Sequence, residues 1–311
     1  MQQMSLFTGG AFTENLGAFI QGTFDDVTRR FGWDNTDIRF AKSISIDGHT
    51  LLWGVTANNN PTVQDVWNTT PAWSFPYISS ELAPLPSATT FIQQVYAQQV
   101  VGLSSYGFLD DLIYLEFGGY RPLSTNTQLA PGIDATGQSP ISSVAPYWRV
   151  AADPNFGDHS WEVGTFGLAS KLFPMGMSGA GTDSFADIGV DTQYQYLGDP
   201  RAVTARLAWI HENHNTSASQ TLGLADNSNN QLRPLNASVS YVYRSHLEPH
   251  SGANVDRGHS GCDALRHFHR KPEQCQLDIR ACLSAIQPRR PVVLVMAEFP
   301  YRPAIYALEQ I

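Results

Sequence analysis

The residues of this chain that could take part in chemistry are charged. They are carboxylates and arginines, and they occupy alternate positions of strand-like segments. Between residues 185 and 197, Asp187 and Asp191 alternate with Ile188 and Val190. One strand face would then be charged and the other apolar. Charges that line the inside of a barrel select permeating ions, or they pair with each other and close the passage. The candidate pore-lining residues are Asp37, Arg39, Glu116, Arg149, Glu162, Asp187, Asp191, Arg206 and Glu212.

Other residue combinations match reactive sites only in part. His211-Glu212 with His214 lacks the spacing of a zinc-binding H-E-x-x-H helix, so a solvated strand end is the better interpretation. The glycines at positions 176 to 181 are not followed by the Lys and Ser/Thr of a phosphate loop. Neither a G-x-S-x-G elbow nor a C-x-x-C-H haem attachment motif occurs. The sequence therefore predicts a non-enzymatic chain with no metal site and no cofactor of its own.

The loop at residues 58–73, at the start of the long connection 59–95, is unusually rich in Trp and Pro. Trp67 and Trp73 stand in it a short distance apart. Two interpretations are open. The segment folds into a barrel mouth as a constriction or a partner contact, or the aromatic rings pack on each other at the rim.

Short strand-like segments, joined alternately by short and long connections, extend from about residue 5 to residue 243. The predicted strands are 5–12, 16–25, 33–43, 50–58, 96–108, 112–120, 145–152, 160–172, 185–197, 201–213 and 233–243. Ten strand residues at about 3.4 Å each, tilted by about 40°, span roughly 25 Å, the height of an outer-membrane apolar band. The sequence thus predicts an all-β fold, an antiparallel up-and-down transmembrane β-barrel or an incomplete barrel.

The composition supports a membrane location without a membrane-spanning helix. Charged residues make up 15% of the chain, against roughly 25% in ordinary soluble domains. Mean hydropathy is -0.22, and no uninterrupted apolar stretch is long enough for a transmembrane helix. The net charge of -9 argues against a nucleic acid partner. The predicted location is the cell outer membrane, with outer-membrane lipid and small solutes as partners.

The character of the sequence changes after residue 244. All three Cys residues, Cys262, Cys275 and Cys282, follow this point, and the alternation ends. Their spacing matches no zinc-binding pattern. We expect residues 1–244 to form a partial barrel domain. Residues 245–311 are expected to form an irregular, non-barrel tail that offers no closing strand and is consistent with a shifted reading frame. The first residues show no export signal, so the chain is expected to begin partway into its first strand.

Three stretches, residues 33–40, 58–67 and 146–149, resemble a family of porin-like outer-membrane β-barrels of proteobacteria. Members are often labelled cytochrome c because longer relatives carry an N-terminal c-type haem segment. The resemblance implies a barrel and an envelope location. It also implies a periplasmic or fused c-type cytochrome as a partner, with haem only in the longer relatives.

These observations lead to one main functional hypothesis and two alternatives. The main hypothesis is a porin-like diffusion channel or a sheath for a redox partner. The first alternative is a c-type cytochrome-associated electron-transfer protein whose haem segment is missing here. The second is a soluble, secreted β-sandwich that binds a ligand. A sandwich requires Val190, Leu207 and Val239 in a dry interior, whereas a membrane barrel requires them on the outer surface.

Overall fold

One antiparallel sheet of 14 strands contains most of the described chain. The computed structural model describes residues 3–25, 29–69, 89–132, 138–243, 250–259 and 280–282. Each strand pairs with the next along the chain, except that β8 pairs only with β9 and β7 pairs with β9. The strands are β1 (Gln3–Ala11), β2 (Leu16–Asp25), β3 (Arg30–Ile46), β4 (His49–Asn58), β5 (Val100–Leu109), β6 (Ile113–Pro122), β7 (Ala145–Ala152), β8 (Asn155–Phe156), β9 (His159–Leu172), β10 (Asp183–Leu197), β11 (Arg201–Asn215), β12 (Asn229–Tyr243), β13 (His250–His259) and β14 (Arg280–Cys282).

The predicted all-β, antiparallel up-and-down fold is confirmed. Every predicted strand from 5–12 to 233–243 has an observed counterpart, and β2 and β7 have the predicted bounds. The sheet is not closed, because within the described ranges β1 and β14 lie at its two ends. This corresponds to the incomplete form of the predicted barrel.

Two strands differ from the expectation of an irregular tail without strands. β13 pairs with β12 from Ser240 to Gln231, and β14 pairs with β13. The edge of β12 presents unpaired backbone N–H and C=O groups, and these can pair with a segment whose side chains do not alternate. Residues 260–279 and 283–311 of the tail lie outside the described residues.

Among the described residues, helical structure is limited to short segments in the long connections. These are a π-helical turn (Phe91–Val95), α1 (Thr125–Leu129), two 3-10 turns (Pro174–Gly176 and Ser178–Ala180) and α2 (Ser217–Thr221). In the parts of the chain that the structure describes, no helix is long and apolar enough to cross a membrane.

The predicted alternation of short and long connections is present from β3 to β12, whereas the β1–β2 and β2–β3 connections have four residues each. Short connections join β3 to β4 and β5 to β6, and these two turns contact each other. The His49 ring Nδ1 lies 2.6 Å from Asp110 Oδ2, and the backbone N–H of Thr50 donates to Asp110 Oδ1 at 2.8 Å. The Thr50 N–H, followed by the His49 ring, lowers the pKa of the Asp110 carboxyl below its usual value.

The two faces of the sheet have inverted polarity compared with a soluble protein. On the outer face, Val190, Leu207 and Val239 are 48%, 42% and 48% exposed. On the inner face, the carboxylates of Asp187 and Asp191 are each only 2% exposed. The β-sandwich alternative required the three apolar side chains to be buried, and the structure places them on the surface.

Candidate functional site

The β4–β5 connection occupies the inner side of the sheet and forms the candidate site with the strands around it. Its described parts are a first limb, residues 59–69, and a second limb, residues 89–99. We call both limbs together the inserted loop. Its contacts extend from Arg39 on β3 to Glu212 on β11. One loop can touch strands so far apart in the sheet only if the sheet curves around it.

The structure places every candidate pore-lining residue on the inner face of the sheet. Seven of them are at most 2% exposed, while Arg39 and Arg206 are half-buried. Most of these residues contact the inserted loop. The sequence analysis did not predict these contacts. The fully buried members are Asp37, Glu116, Arg149, Glu162, Asp187, Asp191 and Glu212.

Asparagine side chains attach the first limb to β3. The Thr36 N–H donates to Asn59 Oδ1 at 2.7 Å, and the Asn59 side-chain amide donates to the Asp34 carbonyl. Asn60 Nδ2 donates to Asn35 Oδ1 at 2.9 Å. Amide side chains can satisfy backbone groups that have left water without adding a buried charge. This explains how a loop can lie inside the sheet.

Further along the first limb, Gln64 joins two charged groups of the inner face. Arg39 donates to the Gln64 carbonyl and pairs with Asp37 at 2.6 Å. The Gln64 side-chain nitrogen donates to the Glu116 carboxylate at 2.9 Å, and its oxygen accepts from the Tyr147 hydroxyl at 2.7 Å. The loop therefore bridges β3 with β6 and β7.

Arg149 on β7 is the centre of the most buried charge cluster. Its Nη2 donates to Asp191 Oδ2 at 2.5 Å and to Glu162 Oε1 at 3.1 Å, and it lies 3.8 Å from Asp65 Oδ1. The guanidinium also lies over the Trp67 ring at 5.0 Å. Three carboxylates from two strands and the loop thus share one cation. Burying such a cluster of charges costs free energy unless each charge keeps its partner.

Asp65 also determines the shape of the loop beside this cluster. Its carboxylate accepts from the N–H of Trp67 at 3.1 Å and from the N–H of Thr69 at 3.0 Å. The Thr69 hydroxyl donates to Asp191. Gly164 makes room for this approach, since a Cβ there would lie 2.6 Å from Asp191 Oδ1.

Trp67 lies inside the sheet and not at the rim next to the long connections. Its ring meets Tyr114 edge-on at 5.0 Å and contacts Phe108, and its Nε1 donates to Asp153 Oδ2 at 3.2 Å. These three partners lie near the short connections of β5, β6 and β7. Rim packing is therefore wrong for Trp67, because the first limb carries it to the opposite end. Trp73 lies outside the described residues.

Two carboxylates hold the start of the second limb. The N–H of Phe91 donates to Glu212 Oε2 at 2.7 Å, and the N–H of Ile92 donates to Asp187 Oδ2 at 2.8 Å. Asp187 and Glu212 stand directly opposite each other on β10 and β11. The first N–H groups of a helical turn have no partner within the turn, and a carboxylate satisfies them.

The second limb also packs against the inner face of β9 and β10 near the long connections. The Phe91 ring lies 4.0 Å from the Phe185 ring, and the Tyr96 hydroxyl donates to Ser170 Oγ at 2.6 Å. Water does not meet the whole inner face, because the loop covers part of it. The buried apolar cluster contains Ile92, Tyr96, Val100, Tyr120, Ile141, Ala145, Tyr147, Phe166, Leu168, Leu172, Phe185 and Ile210.

The predicted solvated strand end around residue 212 is also corrected. β11 continues to Asn215, so Glu212 faces inward and is 1% exposed. His214 on the same face contacts the Glu212 carboxylate. His211 faces outward, where its Nδ1 accepts from Arg233 Nε at 3.0 Å. Within the described ranges, no three His, Cys, Asp or Glu side chains form a group that could hold a metal ion.

Sequence reasoning missed the loop residues that complete the site, namely Asn59, Gln64, Asp65 and Thr69. A signal for them exists in the composition of residues 59–69, where Asp65 is the one charged residue. An exposed loop of this length usually carries several charges, whereas a loop inside a protein satisfies its backbone with amides and hydroxyls.

Comparisons with known proteins add a distant likeness. No family model matches the chain, and no curated protein matches it. A solved structure of OmpT, an outer membrane protein of Vibrio cholerae, is 9% identical, with 82% of this chain and 79% of that chain covered and a TM-score of 0.37. A loop L8 deletion mutant of OmpT is 10% identical, with 83% and 86% covered and a TM-score of 0.38. Superpositions this loose carry no argument, so the function must be argued from the chain's own residues.

Proposed function

We propose that this chain forms the wall of an outer-membrane β-barrel that lets small solutes and ions pass through a lumen narrowed by the inserted loop. The observation that carries the proposal is the inverted polarity of the sheet. Exposed Val190, Leu207 and Val239 suit hydrocarbon, while the charged groups lie on the inner side. A water-exposed surface with apolar residues along several neighbouring strands would associate or aggregate.

The strand lengths support a membrane-spanning wall. β10, β11 and β12 each have 15 residues. At about 3.4 Å per residue and a tilt of about 40°, such strands rise roughly 40 Å, enough for an apolar band and both interfaces. Antiparallel pairing leaves no unpaired backbone groups between strands, as hydrocarbon requires.

The inner charges indicate which ions the passage favours. Around the inserted loop, inward carboxylates outnumber inward arginines. The carboxylates are Asp37, Asp65, Glu116, Glu162, Asp187, Asp191 and Glu212, and the arginines are Arg39, Arg149 and Arg206. A surplus of carboxyl oxygens over guanidinium groups offers coordinating partners to cations and few donors to anions. The proposal therefore includes a preference for cations.

The inserted loop favours a channel over a sheath for a redox partner. A sheath must admit a protein segment into its lumen, but the two limbs already reach across the inner side from Arg39 to Glu212 and narrow it. No contact among the residues that the structure describes supports an electron-transfer role, and we propose a non-enzymatic function.

Conductance of the full chain in planar lipid bilayers tests the proposal. We expect small, cation-preferring steps in a salt gradient. A variant in which residues 62–96 are replaced by a short Gly/Ser linker removes most of the inserted loop, so its steps should be several-fold larger. A variant with the β11–β12 connection shortened between residues 217 and 227 is the control, because that segment contributes nothing to the inserted loop. Absence of steps from protein that has inserted, or equal steps from the loop-replaced variant, would refute the channel.

A further inference from the structure

The outer wall formed by β5 to β12 carries charge of one sign. Among the described residues of these strands, the outward-facing charged side chains are Arg121, Lys171, Arg201 and Arg233, all exposed. Every carboxylate on the same strands faces inward. This separation occurs in a chain whose net charge is -9.

Three of the four outward cations lie towards the long connections. Arg121 is next to the end of β6, Lys171 is next to the end of β9, and Arg233 is near the start of β12. Arg201 lies at the opposite end, where β11 begins after a short connection. The outer wall is therefore most cationic at one border of its apolar surface.

The position of that border can be read along β11. Its outward residues change from Leu207 and Trp209 to His211, and then to Asn213 and Asn215. The Trp209 ring stacks on His211 at 6.2 Å with an interplanar angle of 19°. Aromatic rings beside polar groups are typical of the level where lipid headgroups meet hydrocarbon.

A groove of about 750 Å³ lies between this border and the long connections. Polar side chains, Lys171 and apolar residues such as Val144 and Ala186 line it. Arg233 adjoins it, because its Nη2 donates to the lining residue Gln231 at 2.8 Å. No described residue of the inserted loop lines the groove, although the inward-facing residues Ser170, Phe185, His214 and Asn230 contribute to its lining. Its polar lining includes Lys171, Ser184, Asn213, Asn215, Asn229 and Gln231.

We infer that this groove binds the phosphate-bearing headgroup of a membrane lipid, with Lys171 and Arg233 as cations on its two sides. Side-chain amides and hydroxyls between them suit the oxygen-rich parts of a headgroup. The apolar residues below the border, such as Ile188 and Leu235, then meet the acyl chains. The inference rests on the proposed membrane-spanning wall but not on conductance through the lumen.

Native mass spectrometry of the full chain, folded in a neutral detergent, tests the inference. The probes are phosphatidylglycerol and phosphatidylcholine with identical acyl chains. We expect tighter binding of phosphatidylglycerol. The double variant Lys171→Gln/Arg233→Gln should weaken phosphatidylglycerol binding about thirtyfold, because each cation near a lipid surface contributes roughly a factor of five. Arg201→Gln, at the other end of the wall, should bind as the unchanged chain does.

Three results would overturn the inference. They are equal affinity for the two lipids, unchanged affinity of the double variant, or displacement of phosphatidylglycerol by inorganic phosphate at a similar concentration. If the double variant does not fold, the phosphatidylglycerol affinities of the two single variants test the inference instead. The salt dependence of binding to the unchanged chain is a further test, since the affinity of an electrostatic site must fall as salt rises. A chain that binds lipid in this way but conducts no ions would refute the channel alone.

Discussion

Arg149 illustrates how single residues hold the interior of this molecule together. Its side chain is 1% exposed, and it has close carboxylate neighbours on β9, on β10 and in the inserted loop. Removing one side of a buried ionic cluster costs more than the cluster contributes as a whole, because the remaining charges stay out of water.

We expect Arg149→Met to lower the free energy of unfolding by about 3–5 kcal/mol, since Glu162, Asp191 and Asp65 would lose their shared cation. Urea unfolding in lipid vesicles measures this. Arg206→Gln is the matched control, because Arg206 is half-buried and donates to the neutral Gln193 at 2.6 Å. Equal losses in the two variants would show that the Arg149 cluster has no special role.

The turn residue Asp110 predicts a pH dependence of stability. A carboxyl whose pKa is lowered on folding stabilises the protein above its unfolded-state pKa of about 4, and this stabilisation is lost as pH falls through the lower folded-state value. Asp110→Asn should therefore lower the thermal midpoint at about pH 7 and make no difference in strong acid. Asp111→Asn controls for net charge, since both residues have left-handed φ angles, 52° and 53°. If the thermal midpoint of Asp110→Asn stayed equally low in strong acid, this explanation would be contradicted.

Individual strands show how local alternation serves two environments. In β11, the outward positions are apolar from Val203 to Trp209 and polar from His211 onward, while Thr204, Ala208 and Glu212 are buried on the other face. One element thus contains both a lipid-facing segment and an interfacial segment on the same face. The change between them lies within two residues.

That boundary can be tested with a pair of lysine substitutions on one face of β11. We expect Leu207→Lys to reduce the free energy of folding into lipid vesicles by about 2–4 kcal/mol, because it places a cation near the middle of the apolar band. His211→Lys, four residues further towards the long connections, should cost at most about 1 kcal/mol. Urea titrations of vesicle-folded protein measure both. If the two variants lose the same stability, the outer face of β11 does not cross hydrocarbon.

The molecule as a whole separates charge by face. In β5 to β12 the carboxylates face inward and the exposed outward charges are cationic, so the net charge of -9 does not describe the outer wall that these strands form. Inner carboxylates favour cations in the lumen, and outer cations favour anionic headgroups. Both expectations follow from one arrangement of alternating side chains on a curved sheet.

Much of the fold could be predicted because alternation is a local property. The period of two along residues 185–197 and 201–213 assigns Asp187 and Asp191 to one face and Leu207 to the other without knowledge of any neighbour. Turn residues at positions such as Gly198 and Asp199 mark where strands reverse. The strand at His250–His259 was not predictable in this way, because it pairs through its backbone with the edge of β12.

The amino-acid sequence by itself determined the strand order, the face on which each charged side chain lies and the alternation of short and long connections, since each depends on residues close in the chain. Only the tertiary structure decided that the β4–β5 connection lies inside the sheet. Contacts such as Gln64 with Glu116 and Phe91 with Glu212 join residues 52 and 121 positions apart. Such contacts cannot be predicted from the local alternation of polar and apolar residues. They depend on how distant parts of the chain come together in space.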